Sequence, residues 1–225
     1  LVMSDIAVAE SGSRLQNFLD RAGLRGFPWK TATILYTISW GWLFIVRDSL
    51  WADDWDQFVF RSSPFYDGYG YPPWADLGFA FYESFGSGFV RFVIFSLFFI
   101  GAIFLYAISV RFFFLDFSER KILVFLFLLL PFNSVRLTLM VFHYSVGYFL
   151  FFFAWYLLVV LNTSRSKLAA CILFFLSFQM FALLVFFLIP VCHLYFLEGR
   201  GKARHGVDWA KKNLIFILLP VIYWV

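Results

Sequence analysis

The 225-residue chain has only two cysteines, three methionines and three histidines. Cys171 and Cys192 both sit inside apolar runs. They form no disulfide framework, and no further ligands stand at zinc spacing beside them, so both are expected as packing residues. Glycine-rich phosphate loops, nucleophile elbows and zinc-protease motifs are absent from the sequence. Charged residues make up only 14% of the chain. The first 30 residues are too polar for a cleaved signal peptide. The basic stretch 198–212 has no base-reading architecture and reads as a membrane flank, which argues against nucleic acid as a partner.

What is present is apolar. Hydrophobic residues reach 62%, aromatics 24%, and there are 35 phenylalanines. Mean hydropathy is +0.81. An ordinary soluble domain is about 45–50% apolar. The expected fold is therefore an all-α, polytopic integral membrane protein surrounded by membrane lipids. The chain opens at Leu1 and stops at Val225 within an apolar run, so it reads as an N-terminal fragment.

Residues 1–30 are expected as a cytoplasmic segment. Within them Leu15, Phe18, Leu19 and Ala22 keep helical spacing, with Arg14, Arg21 and Arg25 beside the stripe. That pattern fits either an amphipathic helix on an anionic leaflet or a short solvated helix. The transmembrane domain is expected over 31–225, with spans near 31–49, 89–110, 122–132, 135–161, 168–178, 180–197 and 213–225. The run 168–197 could instead be one tilted span. Splitting it keeps Arg200, Lys202, Arg204, Lys211 and Lys212 on the inner side, as the positive-inside rule asks. Of 18 Lys and Arg, 14 then lie inside, while seven of 14 acids lie in or beside the first outer loop. The outward segments 122–132 and 168–178 are too short to cross a ~30 Å core alone, so two short hairpins would bound an outward-facing cavity.

The outer loop, 50–88, begins Trp51-Ala52-Asp53-Asp54-Trp55-Asp56. Carboxylates at the mouth of a membrane helix are a functional-site hypothesis by default. Asp53 or Asp54 could act as a general base, or the pair could hold a divalent cation, Mg or Mn, or it could cap the helix exit. The loop aromatics fit an interfacial belt better than sugar stacking. Pro73 could open a surface helix over 74–85. Arg136 and His143 stand seven apart on one helix face. Arg136 reads equally as a phosphate ligand in the cavity and as a residue snorkelling to water. Arg91 shares that ambiguity. His193 and His205 read as boundary residues, and Gln179 as a group lining the cavity at the hairpin tip.

Two stretches, Ala52-Asp53-Asp54-Trp55 and Gly70-Tyr71-Pro72-Pro73-Trp74-Ala75-Asp76-Leu77, resemble the serotype-converting glucosyltransferase family within the integral-membrane glycosyltransferases of the GT-C type. Leu176-Ser177-Phe178-Gln179, with Leu183 to Phe186 and Pro190, is similar to a membrane hairpin of such transferases. The likeness covers about the first 190 residues. Two positions depart from the family pattern. Asp56-Gln57 stand where an arginine often follows the acidic pair, leaving Arg61 as the nearest substitute, and Tyr71 replaces an arginine before proline.

The resemblance implies a GT-C-like helix bundle that takes a polyprenyl-phosphate sugar donor and a glycan or lipid acceptor on the outer face of a bacterial inner membrane. It implies Asp53 and Asp54 as catalytic or metal-holding residues. Arg61 and Arg136 become candidate ligands of the donor phosphate, and Trp55, Asp76 and Gln179 further substrate contacts. Competing expectations are a transporter or flippase of a lipid-linked or small polar substrate, a polysaccharide polymerase or ligase, and a non-catalytic membrane subunit.

Overall fold

The computed structural model describes residues 16–17, 19–46, 75–130, 142–198 and 205–224. Every regular element among them is helical. In chain order they are α1 (Trp29–Trp40), α2 (Ala75–Ser109), α3 (Phe117–Leu129), α4 (Phe142–Tyr156), α5 (Ser164–Ser177), α6 (Phe181–Phe186), α7 (Leu188–Glu198), α8 (His205–Lys212), α9 (Leu214–Ile217) and α10 (Leu219–Trp224). Two stretches, Ala80–Ser109 and Phe142–Leu161, are long and apolar enough to cross a membrane.

Local chemistry sets most of the boundaries. Asp116 and Glu119 cap each other's backbone N–H groups at the start of α3, and Thr163 with Ser166 does the same for α5. Between α4 and α5 a π-turn, Leu157–Leu161, ends at Asn162, which takes the left-handed conformation with φ 45°. Proline lacks an N–H, and its ring collides with the carbonyl four residues back. Pro190 therefore sits just past the break that divides α6 from α7, and Pro220 just past the break that divides α9 from α10.

The helices form two joined cores. α2 and α4 pack along each other most extensively, and they run parallel. Phe81 meets Phe142, Phe98 meets Tyr148 and Phe104 meets Phe153, with ring centroids 5.9, 6.0 and 5.1 Å apart. On one side α1 and α3 complete a core around Tyr36, Trp40, Ile94, Phe98 and Leu128. The Trp40 indole N–H donates to the Leu128 carbonyl at 2.9 Å, one of the carbonyls that the end of α3 leaves without a helical partner. On the other side α5 to α10 pack around Phe151, Phe174, Phe178, Phe187 and Phe216.

The run 168–197 is not one helix. The chain turns at 178–180, and Lys167 at the start of α5 meets Glu198 at the end of α7 at 2.5 Å. The Asn213 amide also donates to Glu198, at 3.4 Å. Arg25, Arg111, Arg120, Lys121, Arg165 and Lys167 all lie on turns or helix starts at this same end, called here the basic end.

Several boundaries differ from those expected. The N-terminal helix does not run to residue 25. It stops at Arg21, because Gly23 and Gly26 adopt φ values of 70° and 81°. Instead of lying free, this segment docks on the bundle, where the Tyr106 hydroxyl donates to the Arg25 carbonyl at 3.0 Å and the Phe27 and Tyr106 rings meet at 5.3 Å. The first apolar helix begins at Trp29 and gives way to a 3-10 turn over Gly41–Phe44. The helix expected over 74–85 is present from Ala75, but no loop separates it from the following span: Gly86, with φ 79° and ψ 173°, kinks it into the rest of α2. Cys192 is exposed rather than a packing residue, and Cys171 is half-buried. His193 is no boundary residue. It is 2% exposed, accepts from the Trp155 indole N–H at 3.1 Å and stacks on Phe112 at 3.9 Å.

Two outcomes follow. A Cβ on Gly26 would lie 2.6 Å from the Phe117 ring and would force an L side chain into a left-handed backbone. Gly26→Ala should therefore cost more than about 1–2 kcal/mol, while Gly41→Ala, at an ordinary helical φ, should cost far less; thermal unfolding in detergent compares them. Burial alone would raise the Glu198 carboxyl, but the Lys167 hydrogen bond and charge, with Lys212 and Asn213, outweigh it and hold the group below its usual range. Its contribution is thus present above the ordinary carboxylate pKa and is lost as pH falls through the lowered value. The stability gap between wild type and Glu198→Gln should be full at neutral pH and close below about pH 4.

Candidate functional site

Asp53, Asp54, Trp55, Arg61 and Arg136 lie outside the described residues. Asp76 stands in the first turn of α2, where only its backbone position is described. Gln179 is placed within the 178–180 turn.

Polar groups collect at the end of the bundle opposite the basic end. Ser87 and Arg91 occupy one face of α2, and His143 and Ser145 open α4; all four are buried, Arg91 at 2% and Ser145 at 1% exposure. Depth follows from the parallel packing of the two helices. Arg91 precedes Phe98 by seven residues and His143 precedes Tyr148 by five. At ~1.5 Å per residue these offsets are about 10 and 8 Å in the same direction, so Arg91 and His143 stand at nearly the same level.

Gly147 sets where the hairpin tip meets α4. A Cβ there would fall 2.5 Å from the Met180 sulfur, so the tip closes directly on the α4 backbone. His143 lies one turn outward on the same face as Gly147, and Gln179 precedes Met180. Among the described residues, Gln179 Oε1 is buried with no hydrogen-bond partner, and so is Ser145 Oγ. An unsatisfied buried polar atom costs about 1–3 kcal/mol.

Arg91 does not snorkel to water. It lines a cavity of about 10 Å³ together with Tyr36, Trp40, Leu43, Phe44 and Phe95, at the lower limit for one water molecule. Below it a larger groove of about 280 Å³ opens sideways between α1 and α2. Tyr36 and Phe95 line both spaces, and their rings stack at 4.1 Å between them.

The arrangement offers one buried guanidinium, one imidazole and neutral hydroxyl and amide groups in apolar walls. Such a set can bind an anion or a hydroxyl-bearing group. Among the described residues no cluster of three or more His, Cys, Asp and Glu could hold a metal ion. Ser145 is not among the residues that the sequence reading names, although a serine two residues after a histidine in an apolar helix is a legible signal. The burial of Arg91 had no sequence signal.

No family model, curated protein or solved structure matches the chain.

The Gly147–Met180 contact is testable by a double-mutant cycle. Gly147→Ala should destabilise the wild type by steric conflict. With Met180→Ala in place it should stabilise, because alanine then keeps only its helix-propensity advantage of about 0.8–1 kcal/mol. Thermal unfolding of the four proteins reads the sign reversal.

Proposed function

We propose that the chain is part of a multi-pass glycosyltransferase of a bacterial inner membrane, N-terminus cytoplasmic. It moves a sugar from a polyprenyl-phosphate donor to a glycan or lipid acceptor on the outer face. The reading is supported by an inverted polarity in the bundle together with the acidic first loop of the sequence. Ile38, Phe92, Ile122, Ile172, Val185 and Ile215, on six different helices, are each more than half exposed, whereas Arg91, His143, Ser145 and His193 are buried. Apolar surface of that extent on every side suits lipid rather than water. The polar residues at the end opposite the basic end then face the outer leaflet, since cytoplasmic flanks carry the Lys and Arg.

In this reading Asp53 or Asp54 accepts the proton of the acceptor hydroxyl as its oxygen attacks the anomeric carbon. The new glycosidic bond forms as the bond from that carbon to the phosphate oxygen breaks, and the lipid phosphate leaves with the electron pair. Direct displacement inverts the anomeric configuration. Arg61 and Arg136 balance the charge of the leaving phosphate. Trp55, Asp76 and Gln179 contact the sugar or the acceptor.

The test is sugar transfer in membranes holding the full-length protein, with a radiolabelled polyprenyl-phosphate sugar. Replacing Asp53 and Asp54 together by Asn should abolish incorporation of label into glycan or lipid while expression stays unchanged. Full transfer by the double variant would remove the acidic pair from the mechanism. Movement of the lipid-linked substrate across the membrane without a new glycosidic bond would replace the transferase by a transporter.

A further inference from the structure

The turn between α2 and α3, residues 110–116, lies at the basic end and takes no part in the reaction just described. Its phenylalanines divide. Phe112 folds inward onto His193 at 3.9 Å. Phe113 and Phe114 point outward, 63% and 61% exposed, with their rings edge to face at 5.3 Å. The Arg120 guanidinium donates to the Leu115 carbonyl at 2.7 Å and braces the turn in this shape. Cations flank the rings. Arg111 is exposed just ahead of them. Lys121 lies one turn inside α3, beside Ile122, which is 55% exposed, and its ammonium reaches back to 3.9 Å over the Phe117 ring. The carboxylates of Asp116 and Glu119 are turned onto each other's backbone N–H at 2.8 Å. Among the described residues, Arg111 and Lys121 form no ion pair.

We infer that this turn docks an anionic phospholipid of the inner leaflet, with Phe113 and Phe114 among its acyl chains and Arg111 and Lys121 on its phosphate. The inference goes beyond the transferase reading and rests only on the bundle lying in a membrane with its basic end inside. Two observations set the depth. Lys121 bends from a lipid-facing stretch of α3 toward the helix start, as a long cation does when its stem lies in hydrocarbon and its head seeks the headgroups. The boundary then runs near Phe117. Phe113 stands four residues past Ser109, where the apolar span ends, which places it at the headgroup layer, about 5–8 Å thick on each side. Trp and Tyr, with a polar tip, are the usual residues of that layer. A phenyl ring has no such tip, so two exposed phenylalanines side by side fit a turn that dips into the acyl chains beneath. Charge decides the class of lipid. Juxtamembrane cations are drawn to an anionic headgroup, whereas a choline headgroup sets a cation of its own beside the phosphate. The guanidinium forks onto two phosphate oxygens and the ammonium adds a point charge. Asp116 and Glu119 are held on the α3 backbone and leave both cations to the lipid.

The test puts the photoreactive residue p-benzoylphenylalanine in place of Phe114 in the full-length protein and, in a second protein, in place of Ile172, which is 55% exposed on α5. Each is reconstituted in nanodiscs of equal parts phosphatidylglycerol and phosphatidylcholine with the same acyl chains. After irradiation the adducts are identified by mass spectrometry. At the Ile172 position the two lipids should add equally. At the Phe114 position phosphatidylglycerol should lead by about fivefold or more, the preference that one juxtamembrane cation supplies. Arg111→Gln combined with Lys121→Gln should return that ratio to the Ile172 value. Lys211→Gln combined with Lys212→Gln, in α8, should leave it unchanged. Raising salt from about 0.05 to about 0.5 M should also lower the ratio with both cations intact, because charge contacts at a wet interface are screened. Equal addition of the two lipids at the Phe114 position, an excess that survives the double variant or high salt, adducts with another polypeptide, or no lipid adduct there would overturn the inference. Sugar transfer is not measured, so a failure at the Phe114 position alone leaves the transferase reading standing. Absence of lipid adducts at both positions would remove the membrane placement and with it both readings.

Discussion

The parallel seam between α2 and α4 carries the rest of the molecule. Phe98 against Tyr148 joins two apolar cores that otherwise share few residues, and Phe104 against Phe153 continues the seam into one of them. Parallel neighbours need a return segment, and α3 provides it. The same seam gathers the polar residues. Ser87 and Arg91 from one helix and His143 and Ser145 from the other are buried near its end because both helices enter there from the same direction. Weakening the seam would separate the two cores and disperse the polar site together.

Much of the helical pattern was legible in single residues. Pro190 and Pro220 each reveal a break through a missing N–H and a clash one turn back. Asp116 with Glu119 marks a helix start through reciprocal caps. The turn at 178–180 could be anticipated from the basic residues after 198, whose charge disfavours a single crossing. The interruption at Trp40–Gly41 was less legible, since the residues on either side are equally apolar and no proline stands there.

The candidate site divides in the same way. Gln179 stands out by its place in an apolar hairpin, and among the described residues its side-chain carbonyl oxygen is buried without a partner. The burial of His193 is not legible locally, because it depends on Trp155, 38 residues away, donating to its ring. No local pattern encodes that pairing. Arg91 stood even between water and interior until the aromatic wall of α1 was placed beside it. Burial of a cation inside a helix bundle is decided by tertiary neighbours, and composition is silent on it. The acidic pair at 53–54 remains a feature of the sequence, outside the described residues.

The docked N-terminal turn bears on the order of assembly. Gly26 needs the ring of Phe117 and the hydroxyl of Tyr106 close beside it. Phe117 is made 91 residues after Gly26. At a synthesis rate of roughly 5–20 residues per second, the turn waits about 5–20 seconds on the ribosome before its partners exist. During that interval the first helix exists without this contact. The clasp is therefore a late closure, made only after the first helix has left the ribosome's exit and the partner rings have been added.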